Sequence, residues 1–136
     1  MRYKSDILIA VAFKTKTQRD EIWAVYCMDK MVQEHNLAAQ WQHTDNDAFT
    51  PIAYYYGEGV KWYENYDDVK GMERLLTLVE EFYENRELPF AYIKYRIGED
   101  LHDTEVEENH EGDADTDLIG ELWQRANIER RIEHNF

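Results

Sequence analysis

A run of seven apolar residues near the start of the chain, residues 7–13, constrains the fold more than any other feature of the sequence. The run is short, contains several β-branched side chains and includes no turn-forming residue. Such a segment is typical of a β-strand that is buried on both faces of a sheet. The sequence therefore predicts a sheet in which this strand lies centrally.

Five further segments of residues 1–98 have the periodicity of helices or strands. Residues 18–35 follow a capping threonine, Thr17, and carry apolar residues at helical spacing, while Asn36 suits the left-handed conformation that ends a helix. A second helix with a wider apolar face is predicted for residues 65–84. Gly57 and Gly59 are expected to break the third strand, and residues 45–47 form a turn cluster. The four predicted strands are residues 7–13, 37–44, 52–56 and 90–97.

The resulting order, β-α-β-β-α-β, predicts an α+β fold: a ferredoxin-like sandwich, with a four-stranded antiparallel sheet and two helices on one face. An apolar stripe predicts a final helix over residues 117–133. The length of 136 residues fits one domain. We therefore expect a ferredoxin-like domain (1–98), an acidic segment (99–117) and a C-terminal helix (118–136) packed on or beside the domain.

The composition excludes several classes of protein. A single cysteine, Cys27, rules out a disulfide framework within the chain, and no stretch approaches 18 consecutive apolar residues. Residues 1–22 lack the arrangement of a signal peptide, because lysine and arginine follow a short apolar run. The sequence thus predicts a cytoplasmic protein with no membrane partner.

The negative charge is concentrated in one window. The formal net charge is −14, and residues 99–117 contain ten acidic residues and no lysine or arginine. Such a field disfavours direct contact with nucleic acid or anionic lipid and attracts basic protein surfaces. One interpretation is a solvated linker. The other is a binding segment whose contact residues are Asp103, Glu105, Glu107, Glu108 and Glu111.

The binding interpretation leads to a specific function. In an extended segment, alternate carboxylates project to one side at intervals of about 6.6 Å, which suits Lys- and Arg-lined phosphate sites. Leu101 and Val106 are apolar anchors that solubility tails lack. We therefore expect a non-enzymatic inhibitor or adaptor that mimics nucleic-acid charge toward a basic nucleic-acid-binding protein. In size and composition the chain resembles phage-encoded counter-defence proteins, which are restriction or CRISPR antagonists.

A second hypothesis concerns the open face of the sheet. If Ala91, Ile93, Tyr95 and Ile97 face the helices, an aromatic and basic row remains on the other face; its members are Phe90, Tyr92, Lys94 and Arg96. Tyr54 and Tyr56, or else Tyr55, join that row. Such a face stacks bases in RNA-recognition modules. The net charge instead favours coverage by the C-terminal helix or by a second subunit, and a homodimer is expected if the face is uncovered.

The alternative function is a ferredoxin-like oligomer that binds a small ligand or acts enzymatically at a subunit interface, with His43 and Tyr54–Tyr56 as its site. A homo-oligomeric structural protein is a third hypothesis. No nucleophile accompanies His43, so no catalytic residue, cofactor or metal site is predicted. The calcium-loop pattern that begins at Asp113 fails at Leu118 and Gln124, where glycine and glutamate are required.

Overall fold

A computed structural model describes residues 4–44, 50–100, 102–112, 117–128 and 131–136. The turn cluster at residues 45–47, the anchor Leu101 and most of the calcium-like pattern at 113–117 lie outside these ranges. The strands are β1 (Ser5–Phe13), β2 (Gln42–His43), β3 (Ile52–Val60), β4 (Phe90–Gly98), β5 (Thr104–Glu111), β6 (Ala126–Ile128) and β7 (Ile132–His134). The helices are α1 (Lys16–Cys27), α2 (Lys30–Glu34), α3 (Asp67–Arg86) and α4 (Leu118–Arg125), with a 3₁₀ turn at Ala38–Gln40.

The fold is mixed α+β and is built on an antiparallel sheet. Its five strands have the order β2-β3-β1-β4-β5, and β6 pairs with β7 in a separate hairpin. The prediction of four strands was wrong, because the acidic segment supplies a fifth strand at the edge. The central position of β1 agrees with its apolar sequence.

Helices cover both faces of the sheet. Alternate residues of β1, including Ile7 and Ile9, pack with α1, α2 and α3 in one core. The intervening residues, including Leu8 and Ala10, pack with α4 and the β6–β7 hairpin in a second core. All residues from Ile7 through Phe13 are fully buried, so the prediction of a strand buried on both faces is confirmed.

The first predicted helix is divided into two. The α1 helix ends at Cys27, and α2 begins after Asp29, whose side chain accepts hydrogen bonds from the main-chain N–H groups of Met31 and Val32. Asp29 is thus an N-cap in the middle of the segment that the apolar stripe predicted to be continuous. Asn36 has φ of 53°, and its predicted left-handed conformation is confirmed.

The second predicted strand is mostly absent. Residues 38–40 form a 3₁₀ turn, and only Gln42 and His43 pair with β3. Leu37 and Trp41 are both buried in the α1–α3 core, and their separation of four residues fits one helical turn as well as it fits alternation. The prediction of a strand with alternating side chains over residues 37–44 was therefore wrong.

The third strand and the C-terminal helix also differ from expectation. The β3 strand continues through Gly57 and Gly59 to Val60, and Gly59 adopts φ of 59° while its N–H donates to the Asp6 carboxylate at 2.9 Å. The α4 helix ends at Arg125, since Ala126 is extended and begins β6. The prediction of a helix to residue 133 was therefore wrong.

Candidate protein-binding surface formed by α3 and β5

The acidic segment forms the edge strand β5, and its pairing with β4 determines the direction of each side chain. Glu105 lies opposite Arg96, and Glu107 lies opposite Lys94. Phe90 and Tyr92 of β4 belong to the core beneath α3, whereas Ile93 and Tyr95 belong to the core beneath α4. Because side chains alternate along a strand, Glu105 and Glu107 point toward the α3 side and Glu108 toward the α4 side.

The assignment of the two sheet faces from the sequence was therefore inverted. The row of Phe90, Tyr92, Lys94 and Arg96 faces α3, not an open surface. Both faces of β4 are apolar enough to be buried, so alternation defined two sets of residues without indicating which set meets which helix. Coverage of the other face by the C-terminal helix is observed for α4.

Lys94 lies at the centre of an ionic cluster between α3 and β5. Its ammonium is 2.5 Å from a carboxylate oxygen of Glu73, 2.9 Å from Glu105 and 3.5 Å from Glu107. Burial lowers the pKa of Lys94, but hydrogen bonds to Glu73 and Glu105 outweigh burial and raise it above the usual lysine range. Lys94 is only 5% exposed, so its charge pairs with the surrounding carboxylates and is not accessible to a ligand.

Arg96 organises the neighbouring carboxylates. Its guanidinium binds Asp103 through two nitrogens, at 2.7 and 3.0 Å, and Glu105 through Nε at 3.1 Å. Burial by itself raises the pKa of Glu105, but hydrogen bonds from Lys94 and Arg96 reverse this and lower it. Glu105 is therefore held as an anion by two buried or half-buried cations.

Tyrosine hydroxyls fix two further carboxylates. The Tyr92 hydroxyl donates to Glu80 of α3 at 2.7 Å and lies 3.4 Å from Glu107 of β5. On the opposite face, Tyr95 donates to Glu108 at 3.2 Å. Burial, together with the nearby carboxylates, raises the pKa of Tyr95 to about 12 and raises that of Tyr92 further. Both hydroxyls thus keep the proton that they donate.

The α3 helix contributes a second row of carboxylates beside β5. Glu73, Glu80 and Glu84 are separated by seven and four residues, which places them on one side of the helix. Glu81 adjoins this row and pairs with Arg74 at 3.3 Å. A cleft that Glu80, Glu84, Asn109 and Glu111 line joins the helix to the strand. We call this surface the α3–β5 acidic face; its carboxylates are Glu73, Glu80, Glu81, Glu84, Asp103, Glu105, Glu107 and Glu111.

The cations do not neutralise the whole acidic face. Lys94, Arg96 and Arg74 contact carboxylates of this face. Glu84, Glu107 and Glu111 are exposed. The face therefore combines an internally paired part with a row of solvent-accessible carboxylates.

The predicted contact residues divide into three groups. Asp103 and Glu105 form internal ion pairs with Arg96. Glu107 and Glu111 have exposed side chains on the acidic face, and Glu107 also lies 3.5 Å from Lys94. Glu108 points to the other side of β5. The carboxylates of α3 were not among the contact residues predicted from the sequence. Their i, i+7, i+11 spacing was the signal that could have identified them, although only the tertiary structure places that row beside β5.

The residues of the alternative site do not converge. Tyr54 and Tyr56 lie on the α4 side, where their rings contact His134 at 5.9 and 4.9 Å between centroids. Tyr55 lies on the α1–α3 side against Trp41, and His43 contacts the ring of Trp23. The sheet separates the two groups. Tyr92 is part of the acidic face, as described above.

The described ranges contain no arrangement of three or more histidine, cysteine or acidic side chains that could hold a metal ion. Across the same ranges, no helix combines the length and the apolar character required to cross a lipid bilayer. No protein-family model, curated protein or solved structure matches this chain.

Proposed function

We propose that the protein is a non-enzymatic inhibitor or adaptor whose α3–β5 acidic face binds a basic, nucleic-acid-binding protein. The observation that carries the proposal is the fixed double row of carboxylates, one row on α3 and one on β5, joined through Tyr92 and Lys94. A phage-encoded antagonist of restriction or CRISPR systems is one protein of this kind.

The rigidity of the rows supports charge mimicry. Carboxylates two residues apart on β5 are about 6.6 Å apart along the strand, and those one turn apart on α3 are separated by about 6 Å. Since the Tyr92 hydroxyl already holds Glu80 and the Lys94 ammonium pairs with Glu107, binding a basic surface costs little additional side-chain entropy. A concentrated field of one sign also accelerates association with an oppositely charged partner.

The test uses the immobilised protein and proteins purified from a cell lysate by their affinity for double-stranded DNA. The proposal predicts retention of at least one such protein at low salt and its release by added DNA oligonucleotide, because both ligands occupy the same basic site. Retention that DNA does not reverse contradicts the mimicry.

A pair of matched variants separates the contribution of the acidic face to binding from the contribution of net charge. The first variant neutralises the exposed carboxylates of the face: Glu84→Gln, Glu107→Gln and Glu111→Gln. The second makes the same change in net charge at exposed positions on other elements: Asp20→Asn, Glu34→Gln and Glu133→Gln. Only the first variant is expected to lose the retained protein. Equal loss from both would assign retention to net charge alone.

We also interpret β1, α1, β2, β3, α3 and β4 as a ferredoxin-like core that β5 extends. The spatial order β2-β3-β1-β4, with antiparallel neighbours and helical connections after β1 and β3, supports this interpretation. The departures are the two-residue length of β2 and the division of the first helix. An experimental structure in which β2 pairs with a strand other than β3 would contradict it.

A further inference from the structure

The outer side of β5 is a free sheet edge within the described ranges. β5 is the last strand in the order of the sheet and is eight residues long. The Gly98 N–H donates to the Asp103 carbonyl at 2.8 Å. Gly98 and Asp103 are therefore a hydrogen-bonded pair, and this fixes which later pairs of β4 and β5 are hydrogen-bonded. Because hydrogen-bonded pairs alternate along an antiparallel ladder, Glu105 and Glu107 direct their main-chain groups toward β4.

The intervening residues therefore direct their main-chain groups away from the sheet. They include Thr104, Val106 and Glu108, and no hydrogen bond among described residues uses the main-chain N–H or C=O groups of these three. All three are exposed, and Val106 is 53% exposed. Such an edge can pair with an additional strand, and edges of this kind in other proteins capture extended peptides.

The side chains of β5 specify which strand the edge can accept. An added strand places its side chains level with those of β5 on both faces of the sheet. On one face they meet Glu105, Glu107 and the rest of the acidic face. On the other they meet the exposed Val106, which lies between Thr104 and Glu108 and suits an apolar neighbour. A complementary strand thus alternates lysine or arginine with apolar residues.

We propose that the partner contributes an extended segment of alternating basic and apolar residues, which adds to the sheet as a strand beside β5. This inference rests on the proposed function, because it specifies how the basic partner meets the acidic face. The main-chain bonds supply affinity, and the carboxylates supply selection for basic side chains.

The same charges argue against a second copy of this chain as the occupant. An antiparallel pair of β5 strands centred on Val106 would place Glu105 of one copy opposite Glu107 of the other. Like charges opposite one another destabilise a strand pair. The acidic edge therefore discourages self-association while it remains open to a basic strand.

The probe for this inference is the peptide acetyl-Lys-Val-Lys-Val-Lys-Val-Lys-amide. Its affinity for the protein is measured by isothermal titration calorimetry, alongside two derivatives of equal charge. One derivative carries N-methyl groups on the valine nitrogens, and the other carries them on the inner lysine nitrogens. In a strand pair only one of these alternate sets faces β5, so one derivative is expected to bind about tenfold or more weakly and the other about as well as the parent.

The outcomes separate strand addition from charge attraction. If both derivatives bind as tightly as the parent, but the variant with Glu84→Gln, Glu107→Gln and Glu111→Gln binds all three peptides more weakly, strand addition is overturned and the acidic-face proposal survives. If that variant binds the parent peptide as tightly as the wild type does, the acidic face is not the binding site and both proposals fail. A dimer held by β5 in the absence of peptide, detected by sedimentation, would also overturn the inference.

Discussion

Lys94 is the residue on which the geometry of the acidic face most depends. Replacement by methionine leaves Glu73, Glu105 and Glu107 close together without their common cation. We expect Lys94→Met to lower the free energy of unfolding at neutral pH by about 2–3 kcal/mol, less than for a fully buried pair because the carboxylates are partly exposed. Urea unfolding monitored by circular dichroism measures the change.

The same substitution has a predicted pH dependence. The pKa of Glu105 is lowered in the folded protein, so its ion pairs stabilise the wild type above the unfolded value of about 4.3 and are lost as pH falls through the folded pKa. In Lys94→Met the carboxylates repel one another when charged, so protonation relieves the repulsion. The stability difference between wild type and variant should therefore shrink below about pH 4. A difference that is constant with pH would contradict the ionic account.

Tyr26 tests a different interaction, in the core beneath α1. Its buried hydroxyl donates to the Gly71 carbonyl at 2.9 Å and accepts from Trp41 Nε1 at 3.0 Å. Tyr26→Phe removes both bonds and leaves the Trp41 indole N–H without its acceptor, and we expect a loss of about 1–3 kcal/mol in urea unfolding. Tyr66→Phe is the control, because Tyr66 is exposed and should change stability little. Similar losses in the two variants would be inconsistent with the hydrogen-bond account.

At the scale of residues, composition identified the acidic side chains of the candidate site but not the residues that contact them in the fold. The acidic window was evident, and Glu107 and Glu111 do lie on an exposed acidic surface. The cations that pair with Asp103 and Glu105 lie on β4, and the hairpin register that joins them cannot be read from charge alone. Glu108 illustrates the same limit, because a contiguous run of carboxylates alternates between faces once it becomes a strand.

At the scale of elements, α4 is predicted to be an integral part of the fold. Leu122 of α4 is fully buried against the sheet, whereas the adjacent Trp123 is 51% exposed. We expect Leu122→Ala to lower the free energy of unfolding by about 2–5 kcal/mol, because it leaves a cavity in the second core. Chemical denaturation provides the measurement.

Trp123→Ala is the comparison on the same helix. Its indole is half exposed, so we expect a smaller loss than for Leu122→Ala despite the larger side chain removed. A greater loss from Trp123→Ala would show that the exposed ring packs more closely than described, and would contradict the account of which side of α4 is buried.

Long elements with strong periodicity were predictable, and short ones were not. β1, β4 and α3 were predicted within a few residues, since each has an extended apolar pattern. Two of the failures, at residues 37–44 and at the end of α4, fell where a few side chains are compatible with two periods. Tertiary contacts of Leu37 and Trp41 decide the first case, and pairing of β6 with β7 decides the second.

At the scale of the whole molecule, part of the net charge of −14 is concentrated beside one edge of the sheet. Much of the acidic window is incorporated into the sheet as β5, and the carboxylates of α3 lie beside it across Tyr92 and Lys94 of β4. Part of the charge of the acidic window therefore belongs to one folded surface. Screening by salt should weaken binding at such a surface, because its outer carboxylates are exposed.

The most direct test is the equilibrium affinity for a DNA-binding protein retained in the displacement experiment, measured for three chains at low and high salt. The chains are the wild type, the variant with Glu84→Gln, Glu107→Gln and Glu111→Gln, and the variant with Asp20→Asn, Glu34→Gln and Glu133→Gln. We expect the acidic-face variant to bind about tenfold or more weakly at low salt, and we expect salt to weaken binding by the wild type more than binding by this variant. The second variant should bind nearly as well as the wild type. Equal affinities for all three chains would contradict the claim that the α3–β5 acidic face binds the partner.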